Sequence, residues 1–151
     1  MRSFSSLMRF VSVLIISLLP TSDNWQAKAT ADLPTNNPPH TLYQVEDHIK
    51  MAESLFADIR PGLEKSIIWA GKPHHRTRYS IVYIHGFSAS KEELRPVPDI
   101  VAASLGANIY YTRLTGHGRT AEAMLEASVS AWVKDLAEAF EIGTMIGDKV
   151  I

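Results

Sequence analysis

Apolar positions recur along this chain with two spacings, and their alternation predicts the order of elements. Val45, Ile49, Ala52, Leu55, Phe56 and Ile59 return every three or four residues. That spacing predicts an amphipathic helix over 42–59, stopped by Pro61-Gly62. Residues 66–70 (SIIWA) read as a short strand closed by Gly71-Lys72-Pro73. Residues 79–84 (YSIVYI) are β-branched or aromatic and apolar at nearly every position. Such a run suits a central strand of a parallel sheet, covered on both faces. Val97, Ile100, Val101 and Leu105 then line one helix face, with Pro96 or Pro98 tolerated in the first turn and Gly106 just past the end. Residues 107–112 (ANIYYT) form the next strand. Leu125, Val129, Trp132, Val133, Leu136 and Phe140 predict a strong amphipathic helix ending near Gly143, and 148–151 (DKVI) open another strand.

Strand, helix, strand, helix, strand with short connections predicts βαβ units and an α/β fold with a mostly parallel sheet. The last strand has barely begun at Ile151, so the expectation is a domain cut off in mid-fold.

The first apolar run is of another kind. Arg2 and Arg9 precede residues 10–19 (FVSVLIISLL), which Pro20 ends. A helix of that length rises ~15 Å, half of the ~30 Å hydrocarbon layer. A basic start followed by a short apolar run reads as a secretory signal, and Ala27-Lys28-Ala29 supplies its cleavage site. The expected organisation is a signal at 1–29 (or an uncleaved anchor), a Pro- and Asn-rich linker at 30–41, and the folded portion at 42–151. The implied location is exported, with membrane contact only through an uncleaved N-terminus.

Charge and composition narrow the functional classes. The 151 residues hold 15 Lys plus Arg and 16 Asp plus Glu, a net charge of −1. Removing 1–29 takes away Arg2, Arg9, Lys28 and Asp23, leaving −3. No basic excess exists to hold a nucleic acid. Without cysteine there is no disulfide, thiolate nucleophile or zinc finger.

Three blocks carry the chemistry: VYIHGFSAS (82–90), TRLTGHGRT (112–120) and Trp132-x-x-Asp135-x-x-Glu138-Ala139. In that order they resemble the α/β-hydrolase superfamily, in its monoglyceride-lipase, carboxylesterase and serine-aminopeptidase-like branch. The likeness spans roughly 43–151, the N-terminal half of such a domain. It implies a serine hydrolase acting on an ester, lipid or peptide substrate without a cofactor or metal. Acyl transfer places negative charge on a former carbonyl oxygen, which preorganised backbone N–H groups stabilise. The family takes one such donor from the loop after its third strand and the other from the residue after the nucleophile. The resemblance therefore implies that the Phe87 N–H is the first donor. Gly86 would permit the sharp turn and His85 would orient the loop, not act as the general base. The nucleophile elbow Gly-x-Ser-x-Gly would follow the strand that begins at Lys149, and the motif occurs nowhere in the 151 residues. The triad Ser, Asp or Glu, and His would all lie beyond it. The competing expectation is a truncated, non-catalytic product that is inert or acts by association.

Other patterns are weaker. Gly116-His117-Gly118 with Ala121 fits a dinucleotide fingerprint, but no acidic residue ends a following strand. Ser88-x-x-Lys91 matches a penicillin-binding motif whose partner motifs are missing. Ser88 and Ser90 are instead expected to bond the loop or cap the next helix. His74-His75 lie in a basic connection with no third ligand spaced to complete a metal site.

Overall fold

The computed structural model describes residues 41–151. The expected signal at 1–29 and all but Thr41 of the linker lie outside these residues. Eight elements follow: α1 (Val45–Ser54), β1 (Ser66–Ile68), β2 (Thr77–Tyr83), α2 (Val97–Leu105), β3 (Asn108–Tyr111), a 3₁₀ turn (Glu122–Glu126), α3 (Val129–Ile146) and β4 (Gly147–Val150). The strands form one sheet in the order β1-β3-β2-β4. β2 runs parallel to both neighbours, in register Ile81 to Ile109 and Thr77 to Gly147, whereas β1 is antiparallel to β3. The fold is thus mixed α/β with a mostly parallel sheet, and of its two inner strands, β2 and β3, β2 is parallel to both neighbours.

Alternation along β3 divides the core. Tyr110 points to one face and packs with Val45 and Ile49 of α1 and Ala139, Ile142 and Ile146 of α3. Ile109 and Tyr111 point to the other and pack with Ile81 and with Ala102 of α2. Asn108, 1% exposed, fastens the amino end of the sheet. Its Nδ2 donates to the carbonyls of His75 and Ile146, each at 2.8 Å, and its Oδ1 accepts from the Ala70 N–H.

Three helix expectations are corrected. The face of α3 that meets the sheet is Ala139, Ile142, Gly143 and Ile146, while Val129, Val133, Leu136 and Phe140 look outward. Small residues decide this orientation. A Cβ on Gly143 would stand 2.5 Å from Val82 Cγ2, and its absence lets the Ser80 hydroxyl donate to the Gly143 carbonyl at 2.7 Å. Gly143 is therefore a packing position inside the helix, which begins at the Ser128 cap and not at Leu125. In α2 the inward residues are Pro98 and Ala102, and Val97, Ile100, Val101 and Leu105 are exposed. Gly106 does end α2, with φ of +58°. α1 stops at Ser54, and Leu55 is exposed. Phe56 turns beneath two guanidinium groups, those of Arg113 and Arg119, 5.0 and 4.4 Å from its ring centre.

Candidate functional site

The helices that follow β2 and β3 cover opposite faces of the sheet. Chains leaving the carboxyl ends of these adjacent parallel strands therefore diverge and open a crevice, the usual place for a ligand in an open α/β sheet. Residues 84–90 and 112–121 form its two sides.

A tight turn stands on the β2 side. The Ala89 N–H closes it on the Gly86 carbonyl at 3.2 Å, and Ser88 takes φ of +61°. A left-handed conformation in a residue other than glycine costs ~1–3 kcal/mol and persists only where its surroundings impose it. Those surroundings are two buried histidines whose ring centres lie 4.8 Å apart. His85 Nδ1 faces the Gly86 carbonyl at 2.9 Å, and His85 Nε2 faces the Leu114 N–H at 3.1 Å. A carbonyl only accepts and an amide N–H only donates, so the ring is neutral with its proton on Nδ1. His117 repeats the pattern: Nδ1 donates to the Thr115 carbonyl at 3.2 Å, and Nε2 accepts the Ser88 N–H at 3.0 Å. Burial is the main cause that pulls His85 below the ordinary imidazole range; the Gly86 carbonyl opposes this, and His117 adds to it.

Gly86 donates its N–H to Glu93 Oε2 at 3.0 Å, and a Cβ there would come within 3.3 Å of the same carboxylate. The ring of Phe87 is exposed, edge-on to His117 and Trp132 at 6.1 and 6.2 Å. Among the described residues the Phe87 N–H has no acceptor.

The opposite loop is fixed from below. Asp135 of α3 accepts the Thr115 N–H at 2.6 Å and its hydroxyl at 3.1 Å, and Trp132 Nε1 donates to the Thr115 carbonyl at 3.1 Å. Arg113 lies buried beside Glu53, donating from Nε at 2.9 Å and Nη2 at 2.8 Å, and its Nη1 holds the His117 carbonyl. Gly116 and Gly118 adopt φ of +85° and +69°. A pocket of about 210 Å³ opens beside the turn, lined by Ser88, His117, Thr120 and Arg60 among others.

His85, Gly86 and Phe87 thus stand together at the carboxyl edge of β2. Sequence reasoning missed Glu93, and it placed Arg113 and Trp132 within the resembling blocks without giving either a role of its own. The Trp132-x-x-Asp135 spacing, which puts both side chains on one helix face, was the available signal for their shared hold on Thr115. Neither serine caps α2, which begins at Val97 after Pro96 without a side-chain cap. Ser90 Oγ accepts the Glu92 N–H instead. Lys91 reaches away from Ser88 to the Glu64 carbonyl and Ser66 hydroxyl, so the two do not form a nucleophile–base pair. The Gly116–Gly118 loop leads into a 3₁₀ turn, leaving no α-helix N-terminus for a pyrophosphate. No cluster of three His, Cys, Asp or Glu side chains suited to a metal occurs among the described residues. No helix among them is long and apolar enough to cross a membrane.

No protein-family model matches this chain, and neither a curated protein nor a solved structure does.

Proposed function

We propose that this chain carries the N-terminal portion of an exported serine hydrolase of the α/β-hydrolase type, with the Phe87 N–H as one of its two oxyanion donors. The single observation that carries the reading is that N–H, which has no acceptor among the described residues. It sits on a turn held by His85, Glu93 and His117, at the carboxyl end of β2, the strand parallel to both neighbours. Donors fixed before the reaction stabilise a developing oxyanion without reorganisation, which is what acyl transfer requires. In the complete enzyme a serine oxygen would attack the carbonyl of an ester, lipid or peptide bond. The serine proton would pass to the triad histidine and the carbonyl electron pair to the oxygen facing Phe87; collapse would expel the alcohol or amine, protonated by that histidine, and leave an acyl-enzyme for water to hydrolyse. Export, or anchoring through an uncleaved N-terminus, is proposed from the basic and apolar pattern of residues 2–29.

A second reading, a non-catalytic product acting by association, draws on the outward apolar faces of α2 and α3. The nucleotide sequence after codon 151 separates the two. An in-frame Gly-x-Ser-x-Gly within a few residues supports the hydrolase, and an immediate stop codon refutes it. In the complete enzyme, Phe87→Pro deletes the N–H and should lower kcat by ~10²–10³, whereas Phe87→Leu keeps it. Full activity in a folded Phe87→Pro protein would place the donor elsewhere.

A further inference from the structure

We infer that His117 is the positioning residue of the 86–89 turn: its neutral imidazole, accepting the Ser88 N–H at Nε2, holds Ser88 left-handed and thereby fixes where the Phe87 N–H stands. The consequence for catalysis rests on the hydrolase reading; the hydrogen bond does not. A ring that only filled space between His85, Phe87 and Trp132 would need no defined tautomer. Here both nitrogens are committed. The Thr115 carbonyl takes the Nδ1 proton, and that carbonyl is itself fixed by Trp132 while Asp135 holds the Thr115 N–H and hydroxyl. A relay therefore runs from α3 through Thr115 and His117 to Ser88 and its neighbour Phe87. It supplies the constraint that the left-handed Ser88 requires.

The relay works only while His117 is neutral. A proton on Nε2 would set two donors against each other and release Ser88. The groups around it are the His85 ring, the Phe87 ring, Trp132 on α3, Arg113 on the His117 carbonyl, Asp135 through Thr115, and Glu93 across the turn on Gly86. The two carboxylates are committed to backbone N–H groups, those of Gly86 and Thr115.

Long-range proton–nitrogen NMR on the full chain tests this without any need for activity. Near neutral pH His117 should carry its proton on Nδ1, and the Ser88 amide should move in step with the imidazole as acid is added. His117→Phe should speed Ser88 amide exchange about tenfold while circular dichroism stays unchanged. His117→Gln, whose amide oxygen reaches the same place, should restore protection and abolish the acid response. A His117 proton on Nε2, or a Ser88 amide indifferent to acid and to both substitutions, would overturn the inference. In the complete enzyme, His117→Phe should lower kcat by about 10- to 100-fold with KM unchanged, and His117→Gln should recover it while losing the acid limb. Unchanged kcat in His117→Phe overturns the catalytic consequence. A complete protein without hydrolase activity, in which Ser88 still follows His117, overturns the hydrolase reading and supports the positioning.

Discussion

Removing either partner of the buried Glu53–Arg113 pair should cost as much as removing both, or more. Arg113 is 5% and Glu53 8% exposed, and they share two hydrogen bonds of 2.8 and 2.9 Å. Glu53→Gln leaves a guanidinium in the interior facing an amide, and Arg113→Met leaves a carboxylate facing a thioether. Breaking such a pair from one side costs ~3–5 kcal/mol, because the surviving charge is buried without compensation. In the double variant no charge remains. What changes are the outer bonds. The Lys65 N–H that Glu53 accepted stays within reach of the substituted amide's oxygen, while the His117 carbonyl that Arg113 held loses its donor. An unpaired buried polar group costs ~1–3 kcal/mol, so the double variant should lie at or below either single one, well short of their sum. Two single losses of ~3–5 kcal/mol against a double loss of ~1–3 kcal/mol give a coupling of at least ~3 kcal/mol, measurable from urea midpoints at constant m-value by tryptophan fluorescence. Additive losses would show that the two groups act independently and that the pair is not what ties α1 to the His117 loop.

Three further outcomes follow from the same packing. His85 titrates below the ordinary 6.5 in the fold, so the unfolded chain binds more protons in mild acid; stability should hold above about pH 7 and fall as pH drops below about 6.5, and His85→Gln should flatten the dependence of the urea midpoint. Gly143→Ala should destabilise by ~1–3 kcal/mol despite the ~1 kcal/mol gain in helix propensity, since the new Cβ meets Val82 Cγ2 at 2.5 Å; adding Val82→Ala should recover most of the loss, and thermal melts decide it. Ile100 and Phe140 are 59% and 62% exposed on outward helix faces, so Ile100→Lys with Phe140→Lys should reduce self-association by light scattering without lowering the melting temperature.

The alternation of strands and helices, the mostly parallel sheet and the grouping of His85, Gly86 and Phe87 at the end of the best strand are all legible along the chain. They follow from local periodicity and glycine placement, which neighbouring residues carry. The same periodicity misleads on which helix face turns inward. Large apolar side chains on α2 and α3 form the obvious stripes, yet Ala102, Ala139 and Gly143 meet the sheet, because close approach and the Ser80–Gly143 bond need a small surface. Sheet order is equally invisible locally, since β4 pairs with β2 across the intervening β3 segment. The most consequential facts about the site are also tertiary. Nothing local to Ser88 announces that His117 accepts its N–H, nor that Arg113 finds its carboxylate on α1. A histidine's tautomer is set by the two groups its nitrogens meet, and only the folded chain brings those groups together.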